Sequence, residues 1–297
     1  MADGSPKAHI PDPSQVTRSG TLVGATAILM WATLAALTTL SGRIPPFQLL
    51  AMSFTLAFLI GLWLWRQEGG SIGRHFKLPA SIWALGFYGL FGYHFAYFMA
   101  LRNAPPVEAS LIAYLWPLLI VLLAAFLPGE RLLARQIAGA LAGFTGAVLL
   151  VTKGQTLVFE RQYLTGYLFA LACALIWSSY SVLSRRAGHI PTSAVGAFCG
   201  ATALLALVCH LLFETTVWPA GRQWLAVIAL GLGPVGAAFY TWDFGVKRGN
   251  IQTLSAFAYA APLLSTLLMI ALGLAEPTWI LAVACLLIAG GAFIVGK

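Results

Sequence analysis

The chain has 297 residues, of which 60% are hydrophobic and only 9% are charged. A soluble domain has about a quarter of its residues charged, so an ordinary globular fold in water is excluded. The 17 Lys and Arg residues outnumber the 9 Asp and Glu residues, but they lie singly or in pairs between apolar stretches, which argues against a nucleic-acid partner.

Ten stretches free of Asp, Glu, Lys and Arg follow one another along the chain. In chain order they are 19–42, 44–65, 78–101, 109–129, 136–152, 162–184, 190–213, 223–242, 251–275 and 277–296. Each is long enough to cross about 30 Å of hydrocarbon as a helix that rises about 1.5 Å per residue. A membrane β-barrel would instead have segments of about ten alternating residues. The sequence therefore predicts an all-α integral membrane protein with ten transmembrane helices.

The ends of the chain and the basic residues indicate how these helices are oriented. Residues 1–18 are polar and contain three prolines, so we predict a disordered tail there. If this tail is cytoplasmic, twelve of the 17 Lys and Arg residues lie on the cytoplasmic side. Cytoplasmic segments of membrane proteins are enriched in Lys and Arg. We therefore expect a multi-pass protein of the cell inner membrane with both termini in the cytoplasm.

An internal repeat relates the two halves of the chain. Six features recur at an offset of 145 or 146 residues: Gly20 and Gly166, Trp31 and Trp177, Ile44-Pro45 and Ile190-Pro191, Tyr114 and Tyr259, Pro117 and Pro262, and Glu130 and Glu276. We predict one five-helix repeat over 19–152 and a second over 162–296. Because five is an odd number, the second repeat must cross the membrane in the opposite direction. Inverted repeats of this kind are frequent in secondary transporters, whose substrate site lies between the repeats.

Two stretches resemble a known family. GYLFALACALIWSSYSVLSRR at 166–186 resembles the sixth helix of the EamA-type drug/metabolite transporters, and SLIAYLWPLLIVLLAAFLPGERLLARQIAGALAGFTGAVLL at 110–150 resembles their fourth and fifth helices. The resemblance extends over 19–296, although Trp31 is followed by Ala32-Thr33 instead of Gly or Ser. Within this superfamily the aromatic content is most similar to the YddG-type exporters of aromatic amino acids. The resemblance implies the ten-helix fold and the export of small metabolites.

The third span contains the clearest candidate for a binding site. His94 lies between Tyr93 and Tyr97 in sequence, and helical spacing lets the three side chains share one sector. An ionisable residue inside a membrane is costly and therefore points to a function. We predict that these residues bind substrate. The alternative is a structural histidine that hydrogen-bonds to a neighbouring helix.

The fourth and ninth spans each contain a proline three residues after a tyrosine. The candidates are Tyr114, Trp116 and Pro117 in the fourth span and Ser255, Tyr259 and Pro262 in the ninth. A proline removes a backbone donor and frees a carbonyl of the preceding turn. We predict helix kinks at Pro117 and Pro262 and a substrate-binding role for Tyr114, Trp116, Ser255 and Tyr259. A packing kink without a role in binding is the alternative.

Two further aromatic residues lie within spans. Trp31 is close to the middle of the first span, away from the interfaces where tryptophan concentrates, and Phe239 lies in the eighth span near Trp242. We predict that Trp31 and Phe239 contribute to the binding site. Asp243, four residues before Lys247, is expected to form an ion pair at the end of the eighth span instead of carrying protons.

The sequence lacks GxxxxGK[ST], HExxH and GxSxG motifs. We therefore expect no cofactor, no metal and no enzymatic activity, with an intramembrane enzyme or a channel as alternatives. The resemblance implies a secondary transporter that exports amino acids, including aromatic ones, by alternating access through a cavity between the repeats. The main rival substrate is another neutral or cationic metabolite, such as a drug, a sugar or a polyamine. The expected partners are a small-molecule substrate and the lipid bilayer, and a chain with two repeats can form a complete pathway as a monomer.

Overall fold

The computed structural model describes residues 13–273 and 275–296, and every regular element within these ranges is helical. The ten helices are α1 (Ser14–Leu40), α2 (Pro46–Glu68), α3 (Ala80–Asn103), α4 (Pro106–Ala124), α5 (Ala134–Thr152), α6 (Arg161–Arg186), α7 (Thr192–Phe213), α8 (Gln223–Arg248), α9 (Ile251–Ala271) and α10 (Trp279–Val295). Within the described ranges, nine of them are long and apolar enough to cross a membrane, and α10 is shorter. A short 3₁₀ helix, Ile72–Phe76, lies between α2 and α3.

The first helix begins earlier than predicted. Helical structure starts at Pro13, one residue before the membrane-spanning stretch Ser14–Leu40 given above, so residues 13–18, which we predicted to be part of a disordered tail, extend α1 by more than a turn. Proline is well tolerated at the first position of a helix, and extending an existing helix by one residue costs little compared with starting a new one. The rest of the predicted tail, 1–12, lies outside the described residues.

Two helices are interrupted just before a proline. In α4 the helix ends at Ala113, turns at Tyr114 and resumes at Trp116. In α9 it ends at Ala258 and resumes at Ala260. Pro117 and Pro262 have no N–H to donate to the carbonyl four residues earlier, so each break lies in the turn that the missing bond would have closed.

Two other helices widen into π turns at matching positions. Residues Phe87–Gly92 of α3 and Gly233–Ala237 of α8 are π-helical, and the two segments begin 146 residues apart. Wide turns of this kind occur frequently at functional sites. A further interruption, at Thr33, divides α1 into Pro13–Ala32 and Leu34–Leu40.

Glycines allow the closest helix contacts. A Cβ atom on Gly139 of α5 would lie 2.5 Å from the carbonyl oxygen of Gly291 in α10. A Cβ atom on Gly61 of α2 would lie 2.7 Å from Cα of Gly196 in α7. Small residues let two membrane helices approach until their backbones touch. These contacts fix the pairs α5–α10 and α2–α7.

The remaining six helices form two groups of three. Group A consists of α3, α4 and α6, and group B consists of α1, α8 and α9. The largest cluster of buried apolar residues contains side chains of both groups and of the α2–α7 pair. The junction between the two groups is therefore the centre of the molecule.

Candidate functional site

A cluster of large aromatic rings occupies the junction between group A and group B. Trp31 of group B is at its centre, with ring centroids 5.1 Å from Trp242, 5.8 Å from Trp177 and 6.1 Å from Trp116. Most of these pairs meet edge to face, which is the favoured geometry for aromatic rings. Because Trp116 and Trp177 belong to group A, both groups meet at Trp31.

The indole N–H groups of this cluster are engaged within the protein. Trp31 Nε1 donates to the carbonyl of Pro234 at 3.1 Å, within the π turn of α8. Trp242 Nε1 donates to Ser181 Oγ at 3.1 Å. Buried indoles normally find such partners, and here the hydrogen bonds fix the orientation of both rings.

A polar group lies beside the tryptophans on α3. The Tyr93 ring centroid is 5.1 Å from that of His94, 5.4 Å from that of Trp177 and 6.2 Å from that of Tyr97. The hydroxyl of Tyr97 is 3.4 Å from Ser110 Oγ of α4. These side chains extend the cluster from an apolar to a hydroxyl-bearing surface.

His94 has one ring nitrogen without a hydrogen bond to another described residue. Its Nδ1 is 2.7 Å from the carbonyl oxygen of Leu90. A carbonyl can only accept, so Nδ1 carries the proton, and Nε2 of the neutral ring is an acceptor. The rings of Phe54 and Phe239 flank the imidazole at 5.2 Å and 5.9 Å. An N–H group of a bound molecule could therefore donate to His94 Nε2 between these two aromatic rings.

The side chains of this cluster fall into a fully buried set and a half-buried set. Trp116, Trp177 and Trp242 are 8%, 3% and 1% exposed, so they form a closed floor. The half-buried members are Trp31, Tyr93, His94 and Tyr97, and the half-buried Tyr114 of α4 lies near Tyr93 and Tyr97. The second set can meet a ligand without any rearrangement of the floor.

Two predicted site residues lie apart from the cluster. Tyr259 is fully buried in a separate cluster with Val121 and Ala140, and its hydroxyl accepts the N–H of Leu118 at 3.0 Å. Ser255 is also fully buried and donates to the carbonyl of its own helix four residues earlier, at 2.7 Å. Both hydroxyls are thus engaged within the protein next to the helix breaks.

Other members of the cluster were not among the predicted site residues. Phe54 of α2 stacks on Phe239 with a centroid distance of 5.5 Å, and Trp177 contacts Trp31, Trp116 and Tyr93. The repeat relates Trp177 to Trp31, so the position of Trp31 could have indicated it. Nothing in the sequence around Phe54 distinguishes it from other buried phenylalanines.

One end of the junction is closed by polar contacts. We call this end the tail side because α1 begins there. Arg185 at the end of α6 lies 2.6 Å from Glu130 and donates to the carbonyls of Val246 and Gly249 at 2.8 Å and 2.7 Å. These contacts join α6 and the segment after α4 to the end of α8. They therefore connect group A to group B.

A second set of contacts closes the same end. Lys247 Nζ lies 2.8 Å from Asp243 Oδ2, which confirms the predicted ion pair, and it also donates to the carbonyl of Ile190 at 3.0 Å. Thr192 donates to the same Asp243 oxygen at 2.7 Å. The end of α8 is thereby tied to the start of α7 as well as to α6.

The opposite end of the junction is more open. The segment Leu34–Leu40 of α1 packs on α8 and α9, and the first part of α4, Pro106–Ala113, packs on α3, α5 and α6. Over the described ranges, neither segment forms an extended interface with the group that faces it. On the tail side, by contrast, α6 packs on α8 and the second part of α4 packs on the first part of α9.

The profile of the EamA-like transporter family matches residues 18–152 and again 164–297. An aromatic amino acid exporter, YddG, of Ancylobacter novellus is 55% identical over 277 residues, which are 92% of this chain and 96% of that protein. The aromatic amino acid exporter YddG of Salmonella typhimurium is 25% identical over 85% of this chain and 88% of that protein. A pseudopaline exporter of Pseudomonas aeruginosa is 24% identical over 81% and 83% of the two chains.

A solved crystal structure has the same fold. It aligns with a TM-score of 0.89 and 53% sequence identity, covering 93% of this chain and 97% of that one. The likeness thus extends over nearly the whole membrane domain.

Proposed function

The chain belongs to the EamA-like transporter family, and from this premise we propose that it exports amino acids, aromatic ones in particular, as a secondary transporter. The observation that carries the proposal is the ring cluster at the junction of the two groups, where Trp31, Tyr93 and His94 are half-buried. Aromatic faces can stack on a substrate ring, and a 55% identical relative is an aromatic amino acid exporter.

We further propose that the ten helices form two inverted repeats, 19–152 and 162–296, with α10 as the tenth span. Three observations support this architecture. The family profile matches the chain twice, with starts at residues 18 and 164. The π turns of α3 and α8 begin at the same offset of 146 residues. The breaks before Pro117 and Pro262 also correspond. An odd number of spans per repeat inverts the second copy.

The distribution of Lys and Arg residues favours one orientation of the chain in the membrane. With the tail side in the cytoplasm, twelve of the 17 Lys and Arg residues are cytoplasmic, as expected for the inner membrane of a cell. The binding site would then open away from the cytoplasm, because the tail-side end of the junction carries the Arg185 and Lys247 contacts. This arrangement corresponds to one half of an alternating-access cycle, and the other half requires those contacts to break.

The proposed substrate site comprises Trp31, Tyr93, His94, Tyr97, Tyr114, Trp116 and Phe239. A zwitterionic amino acid needs an acceptor for its ammonium group and donors for its carboxylate. His94 Nε2 and the carbonyl of Ala113, which Pro117 leaves without its helical donor, can accept, and the tyrosine hydroxyls can donate. We place Ser255 and Tyr259 outside the site because their hydroxyls are already engaged.

The composition of the site also bears on the rival substrates. A polyamine needs carboxylate partners, and none of the cluster residues is acidic. A sugar needs several hydrogen-bonding groups around its ring, whereas the floor here consists of three tryptophans. A fused aromatic drug is the rival that the site resembles most, because it would also stack on the tryptophans. A channel would need a continuous opening, and the tail side is closed.

Transport by the purified protein in liposomes tests the proposal. Labelled tryptophan and phenylalanine should enter saturably, whereas glucose and putrescine should not. Alanine substitution of Tyr93, Tyr97 or Tyr114 should lower transport of the amino acids without lowering the amount of folded protein. Equal transport of all four compounds, or unchanged rates in every variant, would contradict the proposed substrate and site.

A further inference from the structure

A groove of about 560 Å³ opens on the outer surface of the helix bundle between α2, α3 and α7. Its walls include Ala51, Thr55, Phe58, Gly200, Ala201 and Leu204. The space exists because α7 has the small residues Ala197, Gly200 and Ala201 where α2 and α3 face it. A Cβ atom on Gly200 would already lie 2.9 Å from the ring of Phe58.

The groove has no polar group left for a water-soluble ligand. The hydroxyl of Thr55 donates to the carbonyl of Ala51 at 2.7 Å. Trp83 Nε1 donates to the carbonyl of Phe76 at 3.3 Å. The remaining lining side chains are apolar. Phe54, on the neighbouring face of α2, stacks on Phe239 of the aromatic cluster, so the groove and the substrate site use different faces of this helix.

The length of the groove matches one leaflet of a bilayer. Its tail-side end is formed by Phe76 and Trp83, and Phe76 packs on Trp65 with ring centroids 5.3 Å apart. From Ala197 to Leu207, the lining residues of α7, the helix rises about 15 Å, and one leaflet of hydrocarbon is also about 15 Å thick. An acyl chain that enters at the tail-side boundary therefore reaches the far end of the groove.

Positive charge lies at the tail-side end. Lys77 directly follows Phe76, Arg74 belongs to the 3₁₀ helix between α2 and α3, and Arg66 lies in the last turn of α2. Arg74 is 3.6 Å from Glu68 and forms an ion pair with it. Arg66 and Lys77 are exposed, and neither forms an ion pair with another described residue. Basic residues at a membrane boundary attract anionic lipid head groups.

We propose that this groove binds one acyl chain of an anionic phospholipid, with the phosphate group held by Arg66 and Lys77. The exposed apolar side chains Ile72 and Phe76 place the connecting 3₁₀ helix at the level of the head groups. The bound lipid contacts α2, α3 and α7 together, so it fills the seam between group A and the α2–α7 pair.

Photo-crosslinking tests the site in the full-length protein. The protein is placed in nanodiscs of phosphatidylcholine that contain phosphatidylglycerol with a photoreactive acyl chain, and labelled peptides are identified by mass spectrometry. We expect the label to concentrate on 51–58 and 197–207. Label spread evenly over the membrane-facing surface, including Leu212 and Leu286, would overturn the proposal.

Two kinds of variant separate the acyl chain from the head group. Ala201→Phe fills the groove and should lower labelling roughly tenfold, because losing even two buried methylene groups costs about that factor. Thr55→Phe is a second filling variant in case the first does not fold. The matched control is Ala229→Phe, which adds the same ring at a different membrane-facing groove and should leave labelling unchanged. Unchanged labelling in both filling variants would overturn the proposal.

Variants that lack one positive charge test the contact with the lipid head group. Lys77→Gln and Arg66→Gln should each reduce the preference for phosphatidylglycerol over phosphatidylcholine roughly fivefold. Arg135→Gln, an exposed residue at the start of α5 on the same side, should not. Equal labelling by the two lipids in the unmodified protein, or competition by soluble glycerol phosphate, would contradict an anionic phospholipid as the occupant.

Discussion

Removing Arg185 should open the tail side of the junction. Its guanidinium forms an ion pair with Glu130 and donates to two carbonyls at the end of α8. The two hydrogen bonds to the carbonyls of Val246 and Gly249 join group A to group B, so they must break when the groups separate at this end. The ion pair with Glu130 lies on the group A side and holds the guanidinium in place for them. Arg185→Ala removes them without altering the aromatic cluster.

The free energy lost in Arg185→Ala depends on how exposed the Arg185 and Glu130 side chains are. A hydrogen bond from a charged group contributes about 1.5–3 kcal/mol, and exposed ion pairs contribute about 1 kcal/mol or less. The side chains of Arg185 and Glu130 keep 24% and 22% of their surface exposed, so water replaces part of what is lost. We therefore expect a total loss of about 2–3 kcal/mol, which shifts the equilibrium roughly 30- to 150-fold towards the state with an open tail side.

Spin-label distances can measure this shift. Labels at Arg131 and Arg248 report the tail side, and labels at Val107 and Leu272 report the opposite side, in a background without the four native cysteines. In Arg185→Ala the first distance should lengthen and the second should shorten.

The neighbouring arginine is the matched control. Arg186 is exposed and has no hydrogen bond or ion pair with another described residue, so Arg186→Ala should give the distances of the unmodified protein. Exchanging the charges in Arg185→Glu with Glu130→Arg restores an ion pair, but a carboxylate cannot donate to the α8 carbonyls. The exchanged protein should therefore remain open. Distances that do not change in Arg185→Ala, or that change equally in Arg186→Ala, would refute this account of the closure.

Three further predictions concern binding and packing. His94→Ala should raise the KM for tryptophan about tenfold, the effect of losing one hydrogen bond, and an unchanged KM in the transport assay would remove His94 from the site. Tyr259→Phe leaves the N–H of Leu118 unpaired and should lower stability by about 1–3 kcal/mol in thermal unfolding with no change in KM; a raised KM would instead place Tyr259 in the site. Gly139→Ala should lower stability by about 1–3 kcal/mol because its Cβ meets the backbone of α10, whereas Gly290→Ala, which has open space around it, should not. Equal unfolding temperatures of these two variants would contradict the proposed helix contact.

The helical character of the chain could be predicted because it depends on local composition. Gaps between charged residues locate the helices, since a charge inside hydrocarbon is costly wherever it occurs. The spacing of Asp243 and Lys247 likewise predicted an ion pair that the structure confirms at 2.8 Å. The start at Pro13 was missed because polar residues adjoining a long helix can extend it.

Contacts between distant helices could not be predicted in the same way. Nothing in the sequence pairs Gly139 with Gly291 or Gly196 with Gly61, whereas the structure brings the backbones of each pair into contact. Tyr259 illustrates the same limit. Its position before a proline suggested a binding residue, whereas its hydroxyl accepts the N–H of Leu118 in another helix.

Arg185 was counted in the sequence only as a positive charge at a membrane boundary. Its three partners belong to segments 55 or more residues away. Such convergence depends on how the helices pack, which hydropathy does not encode.

In the proposed alternating-access cycle, the ring cluster binds aromatic amino acids on their way across the membrane. Counterflow in liposomes tests it most directly. Vesicles loaded with unlabelled tryptophan should accumulate labelled tryptophan transiently above its external concentration, and Trp31→Ala should abolish this overshoot. Label that only equilibrates, at a rate proportional to its concentration and unaffected by the unlabelled tryptophan inside, would indicate a channel and contradict the proposed transport cycle.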